Sequence, residues 1–195
     1  MHKERYEWVQ SWCDEADEKG KRLLLIGDSI TRGYEGFVRN RLRNICRVDY
    51  LSCSYAVDSL IFHELISSFV KDSEYDVIHF NHGLHGLHMD VKTYADGLKK
   101  LFDCWQTNAE LILATTTFVY RADDGKPNEE VNSIVEARNA ALRTLAAERG
   151  CPLNDLYSVS VKMDRAKRSP DGVHFEIAGY EELAERVTES VLKMF

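Results

Sequence analysis

The sequence predicts a three-layer α/β/α protein with a five-stranded parallel sheet. Short aliphatic runs alternate along the chain with longer segments whose apolar residues recur at helical spacing. Such alternation is typical of parallel sheets covered by helices on both faces. The chain has 195 residues, of which 44% are hydrophobic, so it can bury one sizeable core. No linker or low-complexity segment divides it, and we predict a single domain over residues 1–195.

The predicted elements follow one another in a regular order. An opening helix is expected from Lys3 to Lys19, where Tyr6, Val9 and Trp12 offer apolar contacts three residues apart. The five strands are predicted at Arg22–Ile26, Arg47–Leu51, Asp76–Asn81, Glu110–Thr115 and Pro152–Leu156. The remaining helices are predicted near Tyr34–Asn44, Ser59–Val70, Val91–Trp105 and Glu129–Arg149, with a last helix from Glu176 and Gly150 as the end of the long fourth one.

The end of the first predicted strand carries a candidate nucleophile. The aliphatic run Leu23–Ile26 stops at Gly27, which permits a sharp turn, and Ser29 follows where a helix should begin. Ser29 would then stand at the carboxyl edge of the sheet, where open α/β folds place their ligands. There its hydroxyl can act as a nucleophile and its N–H as an oxyanion donor. A role as helix cap accounts for the same residue equally.

A second pattern lies near the C-terminal end. Asp171 and His174 are three residues apart in a segment rich in turn-forming residues, just before the last predicted helix. One turn can bring the carboxylate to one imidazole nitrogen and leave the other nitrogen free to take a proton from a serine. The pair alone is also compatible with an Asp that caps the helix and a His at its rim. Together with Ser29, it favours a Ser-His-Asp triad.

Two short motifs in this sequence resemble those of a known family. Gly27-Asp28-Ser29-Ile30 and Asp171-Gly172-Val173-His174 are similar to the first and last sequence blocks of the SGNH hydrolases, also called GDSL esterases and lipases. The blocks also stand near the two ends of the chain, as in that family. The resemblance implies the flavodoxin-like SGNH hydrolase fold, with Ser29 as nucleophile, His174 as general base and Asp171 as its orienting acid. No motif requires a cofactor.

Two further blocks differ from the family pattern. The family has Gly-x-Asn-Asp after its third strand, where the Asn side chain donates a hydrogen bond to the oxyanion. Alignment on Gly83 places His85 at the Asn position, and a neutral imidazole can donate the same bond. Asn81 is the alternative amide donor. The family's loop glycine after the second strand is missing, which leaves Ser54 or Ala56 as the backbone donor.

The resemblance implies a serine esterase that hydrolyses small carboxylic esters, such as an acetyl group on a sugar, through an acyl-enzyme. A lysophospholipase or thioesterase would use the same mechanism. A non-catalytic carbohydrate- or ester-binding module would explain the altered blocks. The residues expected to bind substrate beside the catalytic groups are Asp28, Ser54, Gly83, Thr116 and Thr117.

Composition narrows the possible partners and location. The chain has 25 Lys and Arg against 32 Asp and Glu, and this net charge of −7 argues against nucleic acid or an anionic membrane surface as a partner. Its five cysteines include no Cys-x-x-Cys pair, and the first twenty residues do not resemble a secretory signal. We therefore expect a cytoplasmic protein, and a homodimer through exposed helix faces is a further possibility.

Four histidines recur at every third position, at His79, His82, His85 and His88. Metal sites usually recruit ligands with helix-type spacing or from distant loops, and a strand followed by a loop would splay these rings. We therefore expect no metal at these histidines.

Overall fold

Six strands form one sheet in the computed structural model, which describes residues 3–195. The strands are β1 (Val9–Trp12), β2 (Arg22–Gly27), β3 (Arg47–Cys53), β4 (Val77–Asn81), β5 (Glu110–Ala114) and β6 (Leu153–Asn154). The α-helices are α1 (Ser29–Leu42), α2 (Leu60–Asp72), α3 (Val91–Asp103), α4 (Glu129–Arg149), α5 (Leu156–Lys162) and α6 (Ile177–Leu192), and a short 3-10 helix spans Arg165–Lys167.

The strands lie in the order β1-β3-β2-β4-β5-β6. Strands β2 to β6 are parallel, which confirms the predicted five-stranded parallel sheet. Because β3 and β4 flank β2 on opposite sides, the direction of winding reverses at β2, and ligands of open α/β folds bind at such a point. Gly27 pairs with Ser52 on one side and Asn81 on the other, so three strands end together beside Ser29.

The predicted opening helix is wrong. Residues 9–12 form β1, which pairs antiparallel with β3 in a register that joins Val9 to Cys53 and Trp12 to Tyr50. All four β1 residues are exposed, so the apolar spacing at Tyr6, Val9 and Trp12 buries no helical face. The segment instead satisfies the backbone groups that β3 would otherwise leave unpaired at the edge of the sheet. The sheet thus gains a sixth strand of opposite direction.

Two apolar clusters fill the space on either side of the sheet. Every residue of β2 is buried, and its side chains alternate between the two faces. Leu24 and Ile26 pack with α2, α3 and α4, whereas Leu23 and Leu25 pack with α1 and α6. The central strand is therefore fixed from both sides, and with it the position of the residues that follow it.

The five cysteines are free thiols. Burial raises the pKa of Cys46 to about 11 and that of Cys53 to about 12, so neither thiol ionises appreciably at neutral pH. Within residues 3–195, none of the helices combines the length and the apolar character needed to cross a bilayer.

Candidate active site

The turn between β2 and α1 places Ser29 at the edge of the sheet. A Cβ on Gly27 would lie 2.0 Å from Thr31 Oγ1 and 2.2 Å from the Asn81 carbonyl oxygen, so this close approach requires glycine. Asp28 caps the helix by accepting the Ile30 N–H at 3.0 Å. Ser29 is thus the first residue of α1, and its own N–H has no acceptor among residues 3–195. That N–H is free to bind an anion.

The structure brings Ser29, His174 and Asp171 together in one hydrogen-bonded chain. The Ser29 Oγ lies 2.8 Å from His174 Nε2, and His174 Nδ1 lies 2.7 Å from Asp171 Oδ2. The other carboxylate oxygen of Asp171 accepts the N–H groups of Val173 and His174, each at 2.8 Å. Asp171 therefore stabilises the turn that carries His174, and it does not cap the last helix, whose N-cap is Glu176.

The Asp171 carboxylate is held in its ionised form. Burial raises its pKa, but the hydrogen bonds from His174 and Val173 outweigh that effect and keep the pKa below the ordinary value. An ionised carboxylate accepts a hydrogen bond from the Nδ1–H of His174, which fixes the tautomer and leaves Nε2 free to accept the hydroxyl proton of Ser29. The arrangement can therefore generate a nucleophilic serine.

The loop after β4 is held by hydrogen bonds from two sides. Asp28 Oδ2 accepts the N–H groups of Gly83 and Leu84, each at 3.3 Å. From α4, the buried guanidinium of Arg138 donates to the carbonyl oxygens of Gly83 at 2.9 Å, His85 at 2.8 Å and Gly86 at 2.6 Å. These bonds give the loop one conformation beside Ser29. Sequence reasoning missed Arg138, because nothing local distinguishes it from the surface arginines of a helix.

Two predicted oxyanion donors are already engaged elsewhere. The Asn81 amide nitrogen donates to the carbonyl oxygens of Thr115 at 3.0 Å and Ala114 at 3.3 Å. The Ser54 N–H donates to the Trp8 carbonyl at 3.1 Å. Neither group has a hydrogen left for an oxyanion, so we withdraw both as donors. The Ala56 N–H has no acceptor among residues 3–195 and stays a candidate.

His85 lies in a polar and aromatic environment. Its Nδ1 is 2.9 Å from Glu4 Oε2, and its ring packs edge-on against Trp8 and stacks on His82. Its Nε2 has no hydrogen-bond partner within residues 3–195. The side chain is half-buried, and it stays the candidate side-chain donor for an oxyanion. The contacts with Glu4 and Trp8 were missed because this segment was interpreted as a helix.

The residues predicted to bind substrate are buried. Asp28 is 2% exposed, Ser54 0%, Thr116 4% and Thr117 1%. A Cβ on Gly83 would lie 1.8 Å from Thr116 Oγ1, so these two residues pack directly against each other. Buried groups of this kind help to hold the loops in place. Their assignment as substrate contacts stays a prediction.

A groove of about 430 Å³ borders the loop that carries Asp171. Its volume is in the range of sites that bind small molecules. The lining is mainly apolar, with a polar rim, and consists of Leu84, Leu87, Val119, Tyr120, Arg121, Ala122, Asp123, Asn128, Val131, Asp171 and Val173. The apolar members were not identified from the sequence, because they come from four separate segments.

The histidine repeat does not assemble a metal site in the part of the chain that the structure describes, where no group of three or more His, Cys, Asp or Glu side chains could hold a metal ion. His79 and His82 are buried, and burial lowers their pKa values to about 3 and about 4. His79 lies within hydrogen-bond distance of the Asn154 amide, and His82 packs on Phe62. Both are neutral core residues at physiological pH.

No family model matches the chain, and no curated protein matches it by sequence. Solved structures do match. A carbohydrate acetylesterase family member from Sinorhizobium meliloti has a TM-score of 0.70 and 16% identity, over 90% of this chain and 99% of that one. An acetylxylan esterase from Geobacillus stearothermophilus has a TM-score of 0.68 and 18% identity, over 88% and 94%. A member of the lipolytic G-D-S-L family from Veillonella parvula has a TM-score of 0.67 and 21% identity, over 87% and 97%.

These similarities show that the chain has the fold of GDSL-type esterases, as the resemblance of its first and last motifs implied. Because the identities lie between 16% and 21%, the likeness defines the fold, and the chemistry has to be argued from the residues of this chain.

Proposed function

We propose that the protein is a serine esterase that hydrolyses small carboxylic esters through an acyl-enzyme. The observation that carries the proposal is the unbroken hydrogen-bonded chain from Ser29 through His174 to Asp171. A purely structural role for these residues would not require a half-buried serine hydroxyl aligned with the free nitrogen of a histidine that a carboxylate orients.

The reaction follows from this geometry in two halves. Ser29 Oγ attacks the acyl carbon while His174 Nε2 takes its proton, and the tetrahedral intermediate then expels the alcohol, to which His174 returns the proton. Water repeats the sequence and releases the acid. The N–H groups of Ser29 and Ala56, together with the His85 ring, are the proposed donors to the oxyanion. Loss of any one oxyanion donor typically costs about a hundredfold or more in turnover.

An acetyl group on a carbohydrate is the substrate that we propose first. Two of the structural neighbours are described as a carbohydrate acetylesterase family member and an acetylxylan esterase. The groove beside Asp171 also combines an apolar wall with a polar rim that includes Arg121 and Asp123. An apolar wall suits a small acyl group or the flat face of a sugar ring, and polar side chains at a rim suit hydroxyl groups.

The catalytic proposal is tested with a fluorophosphonate probe, which reacts with activated serines, and with turnover of p-nitrophenyl acetate. We expect the wild-type protein to be labelled at Ser29, and Ser29→Ala to lose both labelling and turnover. Ser133→Ala, which alters an exposed serine on α4, is the matched control and should behave as wild type. Folded wild-type protein that takes up no label would instead support a non-catalytic binding module.

The substrate is tested with a panel at equal concentration. Acetylated xylo-oligosaccharides are compared with p-nitrophenyl butyrate and octanoate, a lysophospholipid and an acyl thioester. We expect the highest kcat/KM for an acetyl ester. A preference for octanoate, the lysophospholipid or the thioester would mean that the same catalytic residues perform the corresponding activity instead of acetyl ester hydrolysis.

The homodimer stays a prediction, and light scattering of the purified protein would test it.

A further inference from the structure

Strand β1 is the edge strand of the sheet, and its outer side has no neighbouring strand among residues 3–195. The Ser54 N–H donates to the Trp8 carbonyl, so these two residues form a hydrogen-bonded pair of the antiparallel ladder. Such pairs alternate along a strand with pairs that exchange no backbone bonds. The N–H and C=O groups of Val9 and Ser11 therefore point away from β3, and residues 3–195 supply no partner for them.

This edge lacks the features with which proteins usually prevent further strands from pairing. Residues 9–12 contain no proline, no glycine and no charged side chain. The Val9 side chain is 41% exposed and that of Trp12 is 52% exposed, and both residue types favour strands. An open edge of this kind is a template for another extended segment.

The strand is complementary to a second copy of itself. In an antiparallel pair with a two-fold axis at Gln10, Val9 of each copy is opposite Ser11 of the other. Both residues carry outward N–H and C=O groups, so each such pair can exchange both of its backbone hydrogen bonds. In the same register, Trp8 of each copy is opposite Trp12 of the other, at positions where cross-strand side chains are closest. A shift by one residue would instead oppose groups that already bond to β3.

The charges on either side of β1 favour the antiparallel arrangement. Before the strand, Lys3 and Arg5 are exposed. Glu4 and Glu7 lie in the same segment, but they hydrogen bond to the loops after β4 and β3. After the strand, four of the five residues 14–18 are Asp or Glu. Antiparallel pairing brings the basic flank of one copy beside the acidic flank of the other, whereas parallel pairing would bring like charges together.

We propose that the protein forms a two-fold dimer in which β1 of one copy pairs with β1 of the other, so that the two sheets become one continuous sheet. Because both copies use the same strand on the axis, the assembly closes at two chains. This interface differs from the exposed helix faces that the sequence suggested for a homodimer. The inference does not depend on the proposed esterase function, since it uses none of the catalytic residues.

Light scattering over a dilution series tests the dimer, and Gln10→Lys tests the strand. We expect the wild-type protein to have the mass of two chains and to dissociate on dilution. Gln10→Lys places two ammonium groups opposite each other on the axis and should raise the dissociation constant at least about tenfold. Gln106→Lys, at an exposed glutamine before β5, is the matched control and should keep the constant within twofold of wild type.

The register is tested by cross-linking. Gln10→Cys is made in a background with Cys13→Ser and Cys104→Ser, which removes the exposed native thiols. Opposite residues that exchange no backbone bonds have Cα atoms about 4.5 Å apart, a separation that a disulfide can bridge. We expect oxidation with copper phenanthroline to give a covalent dimer on a non-reducing gel, and the background without Gln10→Cys to give none.

Three results would overturn the inference. One is a wild-type protein that is monomeric at every concentration. The others are a dimer that Gln10→Lys leaves as tight as in the wild type, and a dimer that Gln10→Cys does not cross-link, because either would place the interface elsewhere, as on the helix faces. The Gln10 side chain is exposed, so both variants should unfold in urea at the wild-type midpoint when diluted to monomers. Loss of the dimer is then distinct from loss of the fold.

Discussion

Ser29 and His174 are 145 positions apart in the sequence, and their side chains hydrogen bond at 2.8 Å. Ser29 begins the first helix after the central strand, and His174 stands in the loop just before the last helix. The two helices pack side by side on the same face of the sheet. The candidate catalytic pair therefore depends on long-range packing as much as on the two local turns.

The orientation of His174 by Asp171 can be tested by Asp171→Asn. An amide in place of the carboxylate can donate to Nδ1 and thereby favour the tautomer with its proton on Nε2, which cannot accept the proton of Ser29. We expect kcat to fall roughly a thousandfold or more, with little change in stability. Rates with p-nitrophenyl acetate provide the measurement, and Asp72→Asn, at the far end of α2, is the control. A loss of less than tenfold would mean that Asp171 does not orient the base.

Much of the parallel sheet could be predicted from the sequence, because buried strands are short aliphatic runs and amphipathic helices show their spacing. The run Leu23–Ile26 and the helix Glu129–Arg149 are clear examples. The triad could be proposed because its members stand in two local turn motifs. In each case the signal lies within a few neighbouring residues.

The rest depended on contacts between distant segments. Residues 9–12 have a spacing compatible with a helix, and only pairing with β3 makes them a strand. The engagement of Asn81 with the carbonyls of Ala114 and Thr115 is equally invisible in the sequence. Glu4 and Arg138 both hydrogen bond to His85, from which they are 81 and 53 positions away in the sequence. No local pattern marks either residue. Tertiary packing decided the environment of each of these groups.

The close packing of α1 on α6 leads to a prediction about Gly33. A Cβ at this position would lie 2.0 Å from the ring of Tyr180, so Gly33→Ala must displace the ring or separate the helices. Ser29 begins α1 and His174 lies just before α6, so a change in the packing of these helices alters the distance between the two residues. We therefore expect Gly33→Ala to lower both the stability and kcat. Tyr180→Ala should relieve the overlap, so the double variant should be more stable than the sum of the single effects predicts. Additive free energies of unfolding from urea titrations would contradict this account.

Arg138 offers a test of how the loop after β4 is held. Arg138→Met keeps the length of the side chain but leaves the carbonyl oxygens of Gly83, His85 and Gly86 buried without their donor. Unsatisfied buried acceptors are costly, and we expect a loss of about 2–4 kcal/mol in the free energy of unfolding. Arg186→Met, on the exposed face of α6, should change it by about 0.5 kcal/mol or less. Equal effects of the two substitutions in urea titrations would show that the hydrogen bonds of Arg138 to this loop contribute no stability.

The two buried histidines predict how stability depends on pH. Burial lowers the pKa of His79 to about 3 and that of His82 to about 4, below the ordinary value of 6.5 that applies to the unfolded chain. Between these values the unfolded chain binds more protons than the folded protein, so the free energy of unfolding falls as the pH drops below 6.5. The slope is at most about 1.4 kcal/mol per pH unit for each histidine.

His82→Phe separates this effect from general acid sensitivity. The new ring would pack against Phe62 and Phe80, which already contact His82, and it cannot take up a proton. Urea titrations between pH 6 and pH 4.5 should therefore show a free energy of unfolding that depends less steeply on pH than in wild type. The difference in slope should correspond to about one proton taken up on unfolding. Phe62→Leu, which alters the same aromatic cluster without removing a titratable group, should keep the wild-type slope. If His82→Phe also keeps it, protonation of a buried His82 does not contribute to the acid sensitivity of the fold.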